Sequence, residues 1–202
     1  VSVKHSFIEL VGTLDKANFI LDNDRDEKAI KQNLPTVEQW LLPILRKYGN
    51  RNLTFGVSFK FDGNSICIEY IDGKVKTALT RGRNGLGMDL THVFKDHKII
   101  SKDHVGIKYE VIITWENFKR LMEDTGISYA NPRSLVAGKL GDDNAYDYYK
   151  YMTLVPLWVK PFEDYMERGE QIEFIEKNFG EEGNFLFSDF RIIEDVNINN
   201  YK

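Results

Sequence analysis

The alternation that begins at Thr54 limits what this chain can become more than any other feature. Phe55, Val57, Phe59 and Phe61 would face one way, and Thr54, Gly56, Ser58 and Lys60 the other. A period of two separates apolar from polar side chains only in an extended strand. Residues 65 to 71 and 74 to 80 read as two more strands, joined by Asp72-Gly73, a pair suited to the left-handed dihedrals of a tight hairpin. In "IKYEVII", Lys108 and Glu110 fall on the face opposite Tyr109 and Val111, and residues 152 to 159 read as another strand. Helical spacing appears at 36 to 48, where Thr36 and Gln39 form a capping box and Gly49 stops the run. Pro43 is expected to kink that helix. A second helix is predicted over 115 to 125, between Thr114 and Gly126, and a third, amphipathic one over 163 to 178. With no repeat and no Pro/Gly/Ser-rich linker, the outline is an α/β or α+β domain dominated by an antiparallel sheet.

Composition narrows the class. A chain of 202 residues suits one domain, or one with a small appendage. Hydrophobic residues at 42% and charged residues at 29% exclude a disordered polymer. The single cysteine, Cys67, rules out an internal disulfide and points to an intracellular protein. No apolar run approaches the roughly 20 residues of a membrane span, and "VSVKHSFIEL" is too polar for a secretory signal. A net charge of −4 excludes general electrostatic attraction to nucleic acid, so any grip on DNA is local or lies in another chain.

The alternation leaves one oddity, an ammonium group between two phenylalanines in "FKFDG". Ser58 and Lys60 share a face, as do Lys108 and Glu110, and two such polar faces can line a cleft. A free lysine amine is scarce at neutral pH, since the unperturbed group titrates near ~10.4. Desolvation by Phe59 and Phe61, with positive charge from Arg81, would favour the neutral nucleophile. Such an amine can attack an α-phosphate to give a phosphoramidate, a reaction that needs Arg, Lys or Mg²⁺ around the phosphate. A solvated strand face is the plainer reading of the same residues.

"KFDG", "TRGRNGLGMDLT", "KYEVIITWENF" and "YANPRSLVAGKL" occur in that order. Together they resemble the adenylation domain of NAD-dependent DNA ligases, whose pattern runs Lys-x-Asp-Gly, Thr-Arg-Gly-Asp-Gly, Arg-Gly-Glu-Val and Ala-Asn-Pro-Arg-Asn. Upstream, "VKHSFIELVGTLDKANF" is similar to the family's His-x-x-Pro-Met-x-Ser-Leu-Asp-Asn segment. The resemblance covers about residues 3 to 160. It implies an α+β, antiparallel-sheet nucleotidyltransferase fold of the ATP-grasp-like ligase type, incomplete at its C-terminal side. Residues 1 to 160 would be the first part of the adenylation domain, and the helix and strand of 161 to 202 would continue it. By the same resemblance, Lys60 would take AMP from NAD with Mg²⁺, and Asp62 would help position the lysine or the phosphate. Thr13, Leu14, Ser58 and Phe59 would lie around the adenine, Arg81 would bind the nucleotide and Glu110 would hold the ribose hydroxyls. Trp158 would stack on the base, beside Leu157 at the aligned place, and Asn131 and Arg133 would shape the pocket and its nucleic-acid side. The partner substrate would be nicked double-stranded DNA.

Departures accompany the match. Ser58 stands where the family has a glutamate, Arg83-Asn84 where it has Asp-Gly, Lys108-Tyr109 where it has Arg-Gly, and Ser134 where it has a second asparagine. The family's later lysine-bearing strands lie outside this sequence, and the chain reads as the N-terminal half of a split or truncated ligase completed by a second subunit. The other readings are a non-catalytic nucleotide-binding or assembly subunit, and half of an ATP-using DNA or RNA ligase. His5, His92, His97 and His104 lack metal-ligand spacing. Cys67 reads as packing, "GRNGLG" as a hairpin tip before a phosphate cradle, and Lys74, Lys76, Arg81 and Arg83 as the one candidate basic patch.

Overall fold

The structure, a computed structural model, describes residues 2–7, 36–162, 168–179 and 190–200. In chain order its elements are β1 (Ser2–Lys4), α1 (Val37–Tyr48), β2 (Leu53–Ser58), β3 (Asn64–Ile71), β4 (Lys74–Thr80), β5 (Leu86–Met88) and α2 (Thr91–Phe94). There follow β6 (Val105–Ile112), α3 (Trp115–Thr125), α4 (Pro132–Leu140), α5 (Ala145–Tyr148), β7 (Thr153–Pro161), α6 (Arg168–Asn178) and β8 (Phe190–Val196). The chain divides into two compact units. One comprises residues 1–12 and 60–188, the other 13–59 and 189–202.

The first unit is built on a four-stranded antiparallel sheet in the order β4-β3-β6-β7. Asp72 and Gly73 both take positive φ, 53° and 75°, so the β3–β4 turn is the predicted one. One sheet face carries Ile66, Ile68, Tyr70, Ile107, Tyr109, Val111, Leu154 and Val159. All are buried, and Phe94, Phe118, Leu121, Leu135 and Leu140 from the helices belong to the same core. Each such side chain contributes about 1.5–3 kcal/mol by leaving water. Within it the Tyr70 hydroxyl meets the Tyr109 hydroxyl at 2.9 Å and His97 Nδ1 at 2.7 Å. Burial pushes the His97 imidazole down to about 4, and its ring stacks near Phe179.

The opposite face of that sheet is polar, and two parts of it are distinct. At one end Glu69, 3% exposed, accepts hydrogen bonds from Ser6, Lys76, Thr77 and His104. Burial alone would raise its carboxyl, but these donors, His104 first, outweigh it and hold the group below the usual carboxylate range. Phe7 lies over Gly106 so closely that any Cβ there would strike its ring, at 2.5 Å from Cγ. The other end carries Ser65, Lys108 and Glu110.

The second unit holds α1 and the antiparallel pair β2–β8. The capping box is formed: Gln39 N–H donates to Thr36 Oγ1 at 3.1 Å, and Thr36 N–H donates to Gln39 Oε1 at 2.8 Å. The helix runs on through Pro43 to Gly49, whose φ is 63°. The strand from Thr54 ends at Ser58, paired with Phe190, and does not run through Lys60 to Phe61. It pairs with β8, not with the main sheet, so its alternating phenylalanines do not form the core face. Val57 is 47% and Phe59 69% exposed.

Two helices compare closely with expectation and one does not. α3 has the predicted bounds, with Thr114 accepting from Asn117 N–H and Gly126 left-handed at φ 70°. α6 starts at Arg168, and residues 163 to 167 of the predicted helix lie outside the described residues. α4 was not foreseen, although Asn131-Pro132 is a start signal, with proline at the first turn and asparagine as cap.

Candidate active site

The site is assembled on the polar end of the first unit's sheet. Glu110 in β6 lies directly across from Ser65 in β3, and cross-strand partners in an antiparallel pair project from the same face. Ser65 Oγ donates to Glu110 Oε2 at 2.9 Å, and the Gly63 amide donates to Oε1 at 3.2 Å. A carboxylate has about four acceptor positions, so two donors leave Glu110 able to receive two more. The carboxylate is half-buried and held from both sides before any ligand arrives.

Gly63 has to be glycine. A Cβ on it would lie well inside contact with the Val111 carbonyl oxygen and 2.8 Å from Ile112 Cγ2. This close approach draws Gly63 against β6 beside Glu110, three residues after Lys60 and one after Asp62. Asp62 accepts from Arg133 Nη1 at 3.0 Å. Both side chains are exposed, 76% and 62%, so the pair adds orientation rather than stability. Arg133 is placed by α4, whose cap is Asn131: its Oδ1 accepts from Ser134 N–H at 2.9 Å. The Arg133 carbonyl also accepts from Asn64 Nδ2 at 3.3 Å. Asn131, Arg133, Asp62 and the start of β3 thus form one connected rim.

The charges of Arg81 and Lys60 both act on Lys108 in this part of the sheet. Arg81 follows β4, with its amide bonded to the Ser65 carbonyl at 3.1 Å. Lys108, two residues before Glu110, is half-buried opposite Cys67 on one side and Trp158 on the other. Burial draws the Lys108 ammonium below the ordinary lysine range; Glu110 works against that shift, and Arg81 and Lys60 add to it. The charges of Lys60, Arg81 and Glu110 therefore all reach Lys108. With Lys60, Arg81, Lys108 and Arg133 against the two engaged carboxylates Asp62 and Glu110, the arrangement carries net positive charge and suits an anionic ligand.

The structure brings Lys60, Asp62, Arg81, Glu110, Asn131 and Arg133 together in the first unit. Trp158 is in the same unit, packed with Phe7 and Cys67. A register shift between Lys108 and Tyr109 leaves Leu157 as the extra residue and sets Trp158 opposite Lys108. Ser58 and Phe59 belong to the other unit, and Thr13 and Leu14 lie outside the described residues. The desolvation expected for Lys60 is corrected: Lys60 is exposed and so is Phe59, because the strand that would have buried them ends at Ser58. Sequence reasoning put Lys108 on Glu110's polar face without assigning it a role, and it missed Ser65 altogether. The cross-strand register that unites Ser65 with Glu110 is not written locally.

The glycine-rich segment is a hairpin tip, not a phosphate cradle. Arg83 and Leu86 exchange backbone hydrogen bonds at 2.9 and 3.1 Å around Asn84 and Gly85, which take φ of 52° and 71°. The candidate basic patch is also divided. Lys74 and Lys76 sit at the start of β4, where Lys76 pairs with Glu69 at 3.1 Å, whereas Arg81 and Arg83 follow its other end. Among the described residues no three His, Cys, Asp or Glu side chains are grouped as metal ligands, and no helix is long and apolar enough to cross a membrane.

Comparison with known proteins accords with this geometry. The family model described as NAD-dependent DNA ligase adenylation domain matches residues 23–155. The chain is 32% identical over 120 residues to a DNA ligase of Nitratiruptor, covering 54% of this chain and 18% of that protein. It is 35% identical over 118 residues to the DNA ligase of Helicobacter hepaticus, covering 54% and 18%. It is 27% identical over 175 residues to that of Leptospira interrogans, covering 75% and 25%. The chain thus spans a quarter or less of the length of these relatives.

Proposed function

Because the chain belongs to the NAD-dependent DNA ligase adenylation domain family, we propose that it carries out the adenylation step of DNA nick sealing, with Lys60 as nucleophile. The Lys60 amine attacks the α-phosphorus of NAD; the new N–P bond forms as the pyrophosphate P–O bond breaks. Nicotinamide mononucleotide leaves, and the amine loses its proton to solvent. The product is lysyl-AMP, from which AMP passes to the 5′-phosphate at a nick.

One observation carries this reading: the Glu110 carboxylate is fixed by Ser65 and by Gly63, at the end of the Lys60–Asp62 segment, and the charges of Glu110, Arg81 and Lys60 all act on Lys108. In it, Glu110 takes the ribose hydroxyls with its free acceptor positions. Arg81 and Lys108 bind phosphate oxygens, and Asp62, held by Arg133, orients the lysine. Trp158 contributes apolar surface at the base end. Mg²⁺ fits as an ion carried chiefly by the nucleotide's own phosphates and by water, the usual arrangement for this cation, and would add positive charge at the α-phosphate.

The nucleotidyltransferase fold is our reading of the mixed helix and antiparallel-sheet architecture. The pairing of β8 with β2 supports taking residues 161–202 as a continuation of the same domain. What the remaining length of the relatives does, we assign to sequence outside these 202 residues, with a second subunit as the arrangement to test. Nicked duplex DNA is the proposed substrate. The test is incubation with NAD and Mg²⁺, with and without Lys60→Ala. An AMP adduct on the unaltered chain that is absent from the variant supports the assignment, and an adduct persisting on Lys60→Ala refutes it.

A further inference from the structure

The glycine-rich hairpin sends its two arginines to different places. Arg81 reaches the site, whereas Arg83 belongs to a small ribbon. β1 pairs with β5 in the register Ser2↔Met88, Val3↔Gly87 and Lys4↔Leu86, and Leu86 bridges in turn to Arg83. Lys4, Leu86 and Arg83 therefore form one lateral row, and residues directly opposite in antiparallel pairs project from the same face. That face is open throughout: Ser2, Lys4, Arg83, Leu86 and Met88 are all exposed, Leu86 at 48% and Met88 at 37%. The inner face is closed, with His5, Gly85 and Gly87 buried.

The ribbon is firmly mounted. His5 N–H donates to the Gly85 carbonyl at 2.9 Å, and His5 Nε2–H donates to the Thr80 carbonyl at 2.8 Å. Met88 N–H donates to Thr80 Oγ1 at 2.9 Å. Gly87 sits so close to β4 that a Cβ would lie 2.7 Å from His5 Nε2. Its outer face combines apolar side chains with two cations, and neither Lys4 nor Arg83 makes an ion pair with another described residue. Asp89, the acidic residue nearest Arg83 in sequence, accepts from the Thr91 amide at 2.8 Å. On a chain of net charge −4, this is a local concentration of positive charge that no described carboxylate pairs.

We propose that the outer face of the β1–β5 ribbon is a duplex-DNA contact. Lys4 and Arg83 meet phosphates across a groove, with Leu86 against the sugars between them and Met88 beside that row. The inference rests on the ligase reading, which supplies the acidic polymer, but adds a surface to it. Phosphate contacts position a protein on DNA without reading sequence, as a nick-sealing enzyme requires.

The experiment measures binding of the full chain to a fluorescent nicked duplex between 50 and 200 mM salt. Lys4→Glu, Arg83→Glu and the double variant are compared with Lys119→Glu, an exposed control on α3. Each lost phosphate contact should lower the slope of log K against log salt by about 0.9, so the double variant should lose nearly two and bind several-fold more weakly at low salt. Lysyl-AMP formation, followed by mass in the same preparations, should be unchanged. The proposal is overturned by an unaltered slope in the double variant, by an equal loss in Lys119→Glu, by tighter binding to single-stranded RNA of the same length, or by no salt-dependent binding of the unaltered chain. Absence of lysyl-AMP from the unaltered chain counts instead against the adenylation reading.

Discussion

Gly63→Ala is the sharpest perturbation that the site offers. The added methyl would be pressed against the Val111 carbonyl and would stand 2.8 Å from Ile112 Cγ2. Both belong to a central strand of the main sheet, so β6 cannot yield and the 60–63 segment has to lift. Lifting it breaks the Gly63 N–H bond to Glu110 Oε1, a charge-assisted bond whose loss costs about 1.5–3 kcal/mol. Residual overpacking costs about 1–3 kcal/mol. The same displacement relieves part of each, so about 3 kcal/mol is expected in total. In urea, with a slope near ~2 kcal/mol/M, the unfolding midpoint of this unit should fall by about 1.5 M. Trp115 and Trp158 report on that unit by fluorescence. Gly126→Ala is the matched control: its φ is 70° but nothing lies within 4 Å of the new methyl. Only the left-handed penalty of about 1–2 kcal/mol applies there. Gly63→Ala no more destabilising than Gly126→Ala would show that the close approach to Val111 and the bond to Glu110 carry no such energy.

Other expectations follow from the same contacts. Glu110→Ala should weaken nucleotide binding by tenfold or more and leave the fold intact; a global loss of circular dichroism would make the carboxylate structural. Asn131→Ala removes the cap of α4 and should cost about 1 kcal/mol, with lysyl-AMP formation slowed as Arg133 loses its mount. Arg133→Ala should move the unfolding midpoint little, since an exposed pair contributes about 0–1 kcal/mol, and should lower the adenylation rate. His97, with its value lowered to about 4, binds a proton later on acidification than the unfolded chain does. The unfolded state holds more protons between pH 6.5 and 4, so stability rises with pH through that window and falls by about 3 kcal/mol on acidification across it. A His97 ring NMR signal that stays flat from pH 8 to 5 is the check, and a midpoint near 6.5 contradicts it.

Local signals and long-range register divided the task of specifying this protein. The capping box at Thr36 and Gln39, the Asp72-Gly73 turn and the Thr114–Gly126 helix were legible because each is settled by neighbours in sequence. Lys60, Asp62, Glu110 and Arg133 could be nominated from motif order, and Lys108 with Glu110 from a shared polar face. The fate of the strand from Thr54 was not legible. Its alternation is that of a half-buried core strand, yet its partner β8 lies more than a hundred residues away, and only that pairing shows that it stops at Ser58. The same limit hid Ser65 from the site list, because its role depends on the β3–β6 register. It also made Phe59 look like a desolvating wall, when the side chain is 69% exposed.

Acceptance of AMP on Lys60 is what the proposed chemistry stands on. The most direct measurement is the intact mass of the purified chain after incubation with Mg²⁺ and NAD, and separately with ATP, followed by peptide mapping. A gain of one AMP with NAD, mapped to Lys60 and removed by Lys60→Ala, is the predicted result. No gain with either nucleotide, alone or with a second subunit added, would contradict the account and leave a nucleotide-binding or assembly module in its place.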